Sequence, residues 1–475
     1  MNLASSSTRR DFLWHTGGGL GGVALAQMLF AESPAKPQVA GFEGLHHRPK
    51  ARRVIQLFMN GGASPMDTFD FKPKLAQIEG KKFDPGGDVK LESVTNSPGF
   101  KVLPSPHQFR QYGQCGRWVS SVFPHLAGCV DDLAFIMSMV SKTNVHGPAS
   151  YMQNTGFTQP GFPAMGAWIS YALGNLSDNL PTFVVLPDAR GLPYNNQGNF
   201  SSAFLPVQHQ GVIIRPHLPT PISDLRPPST AKFITPQEES ASLDLLKKMN
   251  REHEQQHPGD SRLEARIISY ELAAKMQLSA PEALDVRRET EQTHRLYGIN
   301  EKTTENFGRN CLIARRLIER GVRYVQVWSG AGGPTGNWDN HGNIKTELPA
   351  IAVTVDKPIA GLLRDLKARG LLEDTLVIWT TEFGRMPFSQ GVAGRDHNMG
   401  TFVTWLAGAG VKPGVAHGQS DEWGWRALTP IYCYDLHATI LHLLGIDHKR
   451  LTVRHNGIDR RLTDVHGEVI KEVLA

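Results

Sequence analysis

A series of short apolar runs, most of them leading into polar residues, constrains this 475-residue chain more than any other feature. The runs are VIQLFMN (54–60), LAFIMSM (133–139), TFVVLP (182–187), VRYVQVW (322–328), DTLVIWTTE (374–382) and TFVTWLAG (401–408). Strands this apolar are buried on both faces. Between or after them lie helical stretches at 162–174, at 345–369, which is amphipathic, and at 435–445, the last opening on Asp435 as a cap and stopping at Gly445. This alternation predicts an α/β fold, with a mostly parallel central sheet and helices on both faces. Residues 235–320 are polar with Leu and Ile at helical spacing, and TPQE (235–238) reads as a capping box. They predict a helical insertion.

The main domain is expected over 54–450, after a polar linker at 36–53 and before a tail at 451–475. The first 35 residues have a different character. Arg9 and Arg10 precede Phe12 and Leu13, then an uncharged, Gly-rich stretch from Gly17 to Ala31, then a polar stretch with Pro. That order predicts a twin-arginine export signal, a periplasmic or secreted protein, and the twin-arginine export machinery as a partner. The stretch is short of the roughly 20 apolar residues of a spanning helix, and no later run reaches that length, so no spanning helix is expected. A chain that is 40% hydrophobic and 20% charged is of soluble globular type. Its net charge of +5 is spread without a basic block and implies no nucleic-acid partner. Four Cys make neither a disulfide framework nor a CxxC zinc site. Cys115 and Cys129 are close enough in sequence to pair in an oxidising compartment, which spacing alone does not decide.

Ligands of parallel α/β sheets bind beyond the carboxyl ends of the strands. WDNHGN (338–343) puts Asp339 and His341 there, Glu382 closes the run at 374–382, and GRDHN brings Asp396 and His397. GGASPMDTFD supplies Asp67 and Asp70, and HGPAS supplies His146. Asp with His suits zinc, manganese or iron(II), whereas carboxylates and carbonyls alone favour magnesium or calcium. Taken singly, each residue also fits a turn cap, an ion pair with Arg385 or Arg395, or a hydrogen-bonded loop His. The set points to metal. There is no GxSxG, no GxGxxG after a strand and no GxxxxGK[ST]. Elbow-type serine hydrolases, dinucleotide enzymes and P-loop NTPases are therefore disfavoured.

With LFMNGGASPMDTFDFKP, WDNHG, TTEFGRMP, GRDHN and DLHATILHLLGID in view, the chain resembles the exported bacterial family called domain of unknown function 1501, over nearly all of residues 50–450. That family in turn resembles the alkaline phosphatase and sulfatase superfamily. The resemblance implies an alkaline-phosphatase-like sandwich, metal at strand ends and hydrolysis of sulfate or phosphate esters. HGPASYMQNTG (146–156) is similar to the sulfatase nucleophile motif, with His146 where the Cys or Ser stands. Asn60 takes the place of an Asp at the end of the first strand, and Glu382-Phe383 that of an Asp-His pair. Asp339, His341 and His397 are similar to the remaining ligands.

The expected site is then a divalent metal (zinc, manganese or calcium) among Asp339, His341, Glu382, Asp396, His397 and Asp67, with His146 in the catalytic position. Arg385 or Arg395 would clamp an anionic ester, sulfated polysaccharide included. Metal hydroxide or an atypical nucleophile would attack it. The other expectation is a non-catalytic binding protein on the same fold, favoured by the missing Cys or Ser.

Overall fold

The apolar runs form the middle of one nine-stranded sheet. In chain order the strands are β1 (Arg53–Met59), β2 (Leu133–Val140), β3 (Phe183–Leu186), β4 (Val212–Ile213), β5 (Tyr324–Ser329) and β6 (Thr375–Thr380). A separate two-stranded hairpin follows, β7 (Gly384–Gln390) and β8 (Gly394–Asn398). The sheet resumes with β9 (Phe402–Ala407), β10 (Val415–His417) and β11 (Ile431–Tyr432). Across the sheet the order is β10-β2-β9-β6-β1-β5-β3-β4, with β11 also beside β2. The computed structural model describes residues 44–86, 100–223, 235–256 and 261–475. The expected export signal lies outside them.

The sheet is mostly parallel, as the runs imply. β1 is central, with β5 and β6 parallel on either side. The pairs Met59↔Ser329 and Phe58↔Thr380 bring three strand ends level. The segments after residues 59, 329 and 380 must therefore emerge side by side, although the first is hundreds of residues from the other two. The run at 401–408 pairs antiparallel with both β6 and β2, which its apolar character does not reveal. The chain leaves β6, makes the β7–β8 hairpin and comes straight back. A return with no crossover helix can only run antiparallel.

Alternation along the strands sorts the two faces. Ile55, Leu57, Met59, Val325, Val327, Val377 and Trp379 share a core with α6 (Glu305–Glu319) and α7 (Ile344–Ala368). Those helices follow α3 (Pro236–Gln256), α4 (Ser261–Leu284) and α5 (Glu291–Tyr297), so the expected helical insertion is helical. The opposite face carries α1 (His146–Thr155), α2 (Met165–Leu173) and α8 (Cys433–Leu443). Gln326 donates to Asn154 Oδ1 at 2.8 Å, and Gln153 donates to Thr380 Oγ1 at 3.0 Å, which fixes α1 over the ends of β5 and β6. Buried polar groups on one face are thus matched with one another.

The predicted capping box forms: Glu238 N–H donates to Thr235 Oγ1, and Thr235 N–H to Glu238 Oε2. Asp435 is not the cap of its helix. It stands one turn inside, where its carboxylate accepts from the N–H groups of Tyr432 and Glu468. In the segment read as a linker, the N–H groups of His46 and Lys50 donate to Gly445 and Leu443, and Arg53 opens β1. Past residue 450 the chain makes a small hairpin and bridges Leu474 to Val411. Cys115 and Cys129 are both free thiols, so the pair that proximity allowed is not made. Among the described residues no helix is long and apolar enough to cross a membrane.

Candidate metal centre

Backbone contacts first bring the strand-end segments together. Trp338 N–H donates to Asn60 O at 3.0 Å, tying the WDNHG segment to the end of β1. Gly61, at φ +119°, lies so close that a Cβ would sit 2.6 Å from Asp339 N. Any side chain there would push the loops apart. The β7–β8 hairpin joins through Arg395 N–H to Asn340 O at 3.1 Å. At Gly394 a Cβ would collide with His341 O, 1.6 Å away.

Four side chains from three separate segments converge as a result. His146 opens α1, Asp339 and His341 follow β5, and His397 is on β8. One ligand atom from each lies within 4.8 Å of all the others. Asp339 Oδ1 is 2.6 Å from His341 Nε2, 3.1 Å from His397 Nε2 and 3.2 Å from His146 Nε2. The two imidazole nitrogens His341 Nε2 and His397 Nε2 are 2.8 Å apart.

The far side of each ring explains what the near side can do. His146 Nδ1 is 2.7 Å from Glu382 Oε1, His397 Nδ1 is 2.7 Å from the Asn144 carbonyl, and His341 Nδ1 is bonded to Gln390 Oε1. All three partners are acceptors, so each Nδ1 carries the proton and each Nε2 turns a lone pair inward. Three lone pairs and a carboxylate oxygen facing one another repel. A cation among them converts that repulsion into coordination. His146 Nε2, buried and 3.2 Å from Asp339, makes no hydrogen bond of good geometry there. An orphaned lone pair of this kind is what a metal ligand looks like before its ion, and the donor set fits zinc, manganese or iron(II).

Charge in the cluster is strongly perturbed. Burial would raise the Asp339 carboxyl, but its close neighbours His146, His341 and His397 and the Arg385 charge hold it far below the usual range. Burial pulls His397 down to about 4, against the opposing effect of the Asp339 carboxylate. His146 goes the other way. Burial lowers it, but the two neighbouring carboxylates, Asp339 and Glu382, outweigh burial and leave it raised. Tyr194 stacks on the His146 ring at 4.5 Å, and its hydroxyl is pushed up to about 12 by burial and by Asp339.

The remaining expected residues are placed differently. Glu382 stands one step back, behind His146. Asp396 is buried and accepts from His397 N–H at 2.8 Å. Asp67 is outside the cluster, in a buried pair with Arg395 at 2.6 and 3.2 Å. Burial raises its carboxyl, but the Arg395 charge and bonds leave it below the ordinary value. The expectation that Arg385 or Arg395 clamps an anion does not fit these positions. Both guanidiniums are fully buried. Arg385 is spent on Asp339 Oδ1 at 2.6 Å and on the carbonyls of Gly61, Gly62, Trp338 and Arg395. It braces the loops that carry the cluster. His146, expected in the nucleophile's place, faces Asp339 as a ligand would. Gln390 was not foreseen. It ends a strand whose Gly and Pro disguise it in sequence, and the Asn144 contact is through backbone, which no side-chain pattern announces.

A family profile described as "Protein of unknown function (DUF1501)" matches residues 51–474. No curated protein matches the chain. Among solved structures, the chain is similar to the lipoteichoic acid synthase LtaP from Listeria monocytogenes, at 10% identity over 85% of this chain and 76% of that one, TM-score 0.35. It is also similar to a sulfatase from Pseudoalteromonas sp., at 13% identity over 87% and 74%, TM-score 0.32. A third is the alkaline phosphatase from the Antarctic bacterium TAB5, at 11% identity over 83% and 98%, TM-score 0.32.

Proposed function

The chain belongs to the DUF1501 family, and from that premise we propose that it is a metal-dependent hydrolase of sulfate or phosphate esters. The observation that carries the metal part is the inward-facing Nε2 of His146, His341 and His397 around Asp339 Oδ1, each ring held from behind by an acceptor. The ester part is supported by the motifs that resemble the alkaline phosphatase and sulfatase superfamily. A divalent ion, when bound, supplies Lewis acidity to an ester oxygen and to water. The chain's own residues do the rest. Asp339 contributes the negative charge, and Arg385 holds it and the Gly61–Gly62 turn in place. His341, with 27% of its side chain exposed, is the open side of the cluster. Among the described residues no Ser, Thr or Cys side chain hydrogen-bonds to any of the four, so water is the proposed attacking group. Sulfated polysaccharide is the proposed natural substrate class.

The same lack of a hydroxyl or thiol at the cluster, with both expected anion clamps buried, favours a second reading: a metal-binding protein without catalysis. Assaying zinc- and manganese-loaded protein on aryl sulfate and on phosphate mono- and diesters separates the two. Turnover of one ester class that is lost in His341→Ala supports the hydrolase. Metal binding without turnover of any of them supports the second reading. Export rests on Arg9 and Arg10. Changing both to Lys is expected to hold the precursor in the cytoplasm, and export equal to the parent would contradict the proposal.

A further inference from the structure

Glu382 is 1% exposed, and among the described residues no Lys or Arg pairs with it. Its carboxylate accepts from His146 Nδ1 at 2.7 Å and from Gly61 N–H at 2.8 Å, with the Thr381 hydroxyl 3.1 Å from Oε2. A buried carboxylate without a cation is costly. One imidazole separates this one from the point where four ligand atoms converge. The other two rings are held by neutral acceptors, the Gln390 amide and the Asn144 carbonyl. Asp339 differs again, because Arg385 already offsets its charge.

We propose that Glu382 is the positioning residue of this centre: it does not bind the ion but fixes His146 with Nε2 inward, and its charge, acting through that ring, strengthens the hold on a divalent cation. The inference rests on the metal-site reading above. A carboxylate behind a ligating imidazole sets the tautomer and makes the ring a better donor. It also gives the carboxylate a positive neighbour, since the ion's charge reaches it across the ring. The absence of a guanidinium then becomes intelligible: an arginine at Glu382 would cancel the charge that the ion is meant to feel.

The test is titration of chelator-stripped protein with Zn²⁺ by calorimetry and with Co²⁺ by visible absorption, on the parent, Glu382→Gln, His146→Ala and the double variant. Glu382→Gln keeps the shape and an acceptor while removing the charge. It is expected to weaken Zn²⁺ binding by about 10–100-fold with the Co²⁺ band positions nearly unchanged. In the His146→Ala background the same change is expected to cost less than about threefold, because the route to the ion is gone. A purely structural role would give the same loss in both backgrounds and overturns the proposal. So does parent-like affinity in Glu382→Gln, which leaves the metal site itself intact. A parent that binds neither ion overturns the metal-site reading and this inference together. Should Glu382→Gln not fold, Glu382→Asp, which draws the carboxylate back from His146, carries the same comparison.

Discussion

Among the described residues, two charged clusters are built on opposite plans. Behind the sheet, Arg315 joins Glu289 at 2.7 Å, Glu319 at 2.7 Å and Asp365 at 3.1 Å. Arg369 closes on Asp365 at 2.7 Å, Arg316 on Glu289, and the Tyr297 hydroxyl donates to Asp365. Cations and anions are matched, and the knot pins α6 and α7 to the segment around residue 289. At the strand ends, by contrast, acceptors face acceptors. His146, His341 and His397 have spent their protons outward, and among the described residues Arg385 is the one arginine that pairs with Asp339. In the first cluster opposite charges stand side by side, and in the second they do not. A charge-matched cluster ties elements of a fold together, whereas one of facing acceptors is held together by the fold for a cation to complete.

The comparison breaks most visibly if the knot is cut. Arg315→Met leaves the buried Asp365 and the partly buried Glu289 and Glu319 each short of a partner and is expected to lower stability by about 3–5 kcal/mol in urea unfolding. Zinc affinity should not change. A loss of metal binding in this variant would mean that the two clusters are coupled. Asp67→Asn, which strands Arg395, is expected to behave in the same way.

A buried histidine outside both clusters gives the next largest effect. Burial pulls His437 down to about 4, and its Nε2 donates to Gln153 O at 3.0 Å. Its pKa is lower folded than unfolded, so the unfolded chain binds more protons below pH 6.5 and stability falls as pH falls. Between pH 6.5 and 4 the loss is about 3 kcal/mol, and His437→Gln should flatten that part of the curve. An unchanged pH dependence would show that His437 is not buried neutral.

The strand-end cluster should respond to its ion and little else. Zn²⁺ at 100 times its dissociation constant is expected to raise the stability of chelated protein by about 2.7 kcal/mol. His341→Ala should abolish that gain while shifting the metal-free protein by less than about 1 kcal/mol, since the ring is partly exposed and removes repulsion when it leaves. A large loss without metal would place His341 in the first kind of cluster.

Much of this was legible in sequence because strands apolar on both faces and their polar ends are local patterns. Asp339, His341 and His397 stand out as polar residues beyond strand-like runs, and the fold class follows from the runs themselves. Three things were not legible. Asp67 and Arg395 are 328 residues apart, and only the folded loops make them a pair. Glu382 and His146 carry the right chemistry for other roles, and which stands in front is decided by the angle of α1. The β7–β8 hairpin, which brings Gln390 and His397, holds Gly and Pro where a strand pattern expects neither.

The central claim is that side chains from three separate segments share one ion. The most direct measurement is an anomalous diffraction map of crystals grown with Zn²⁺, collected on both sides of the zinc edge. One peak is expected with His146 Nε2, His341 Nε2, His397 Nε2 and Asp339 Oδ1 each about 2.0–2.2 Å away, and Glu382 outside that radius. Zinc held elsewhere, or none with these four groups turned away from one another, would contradict it.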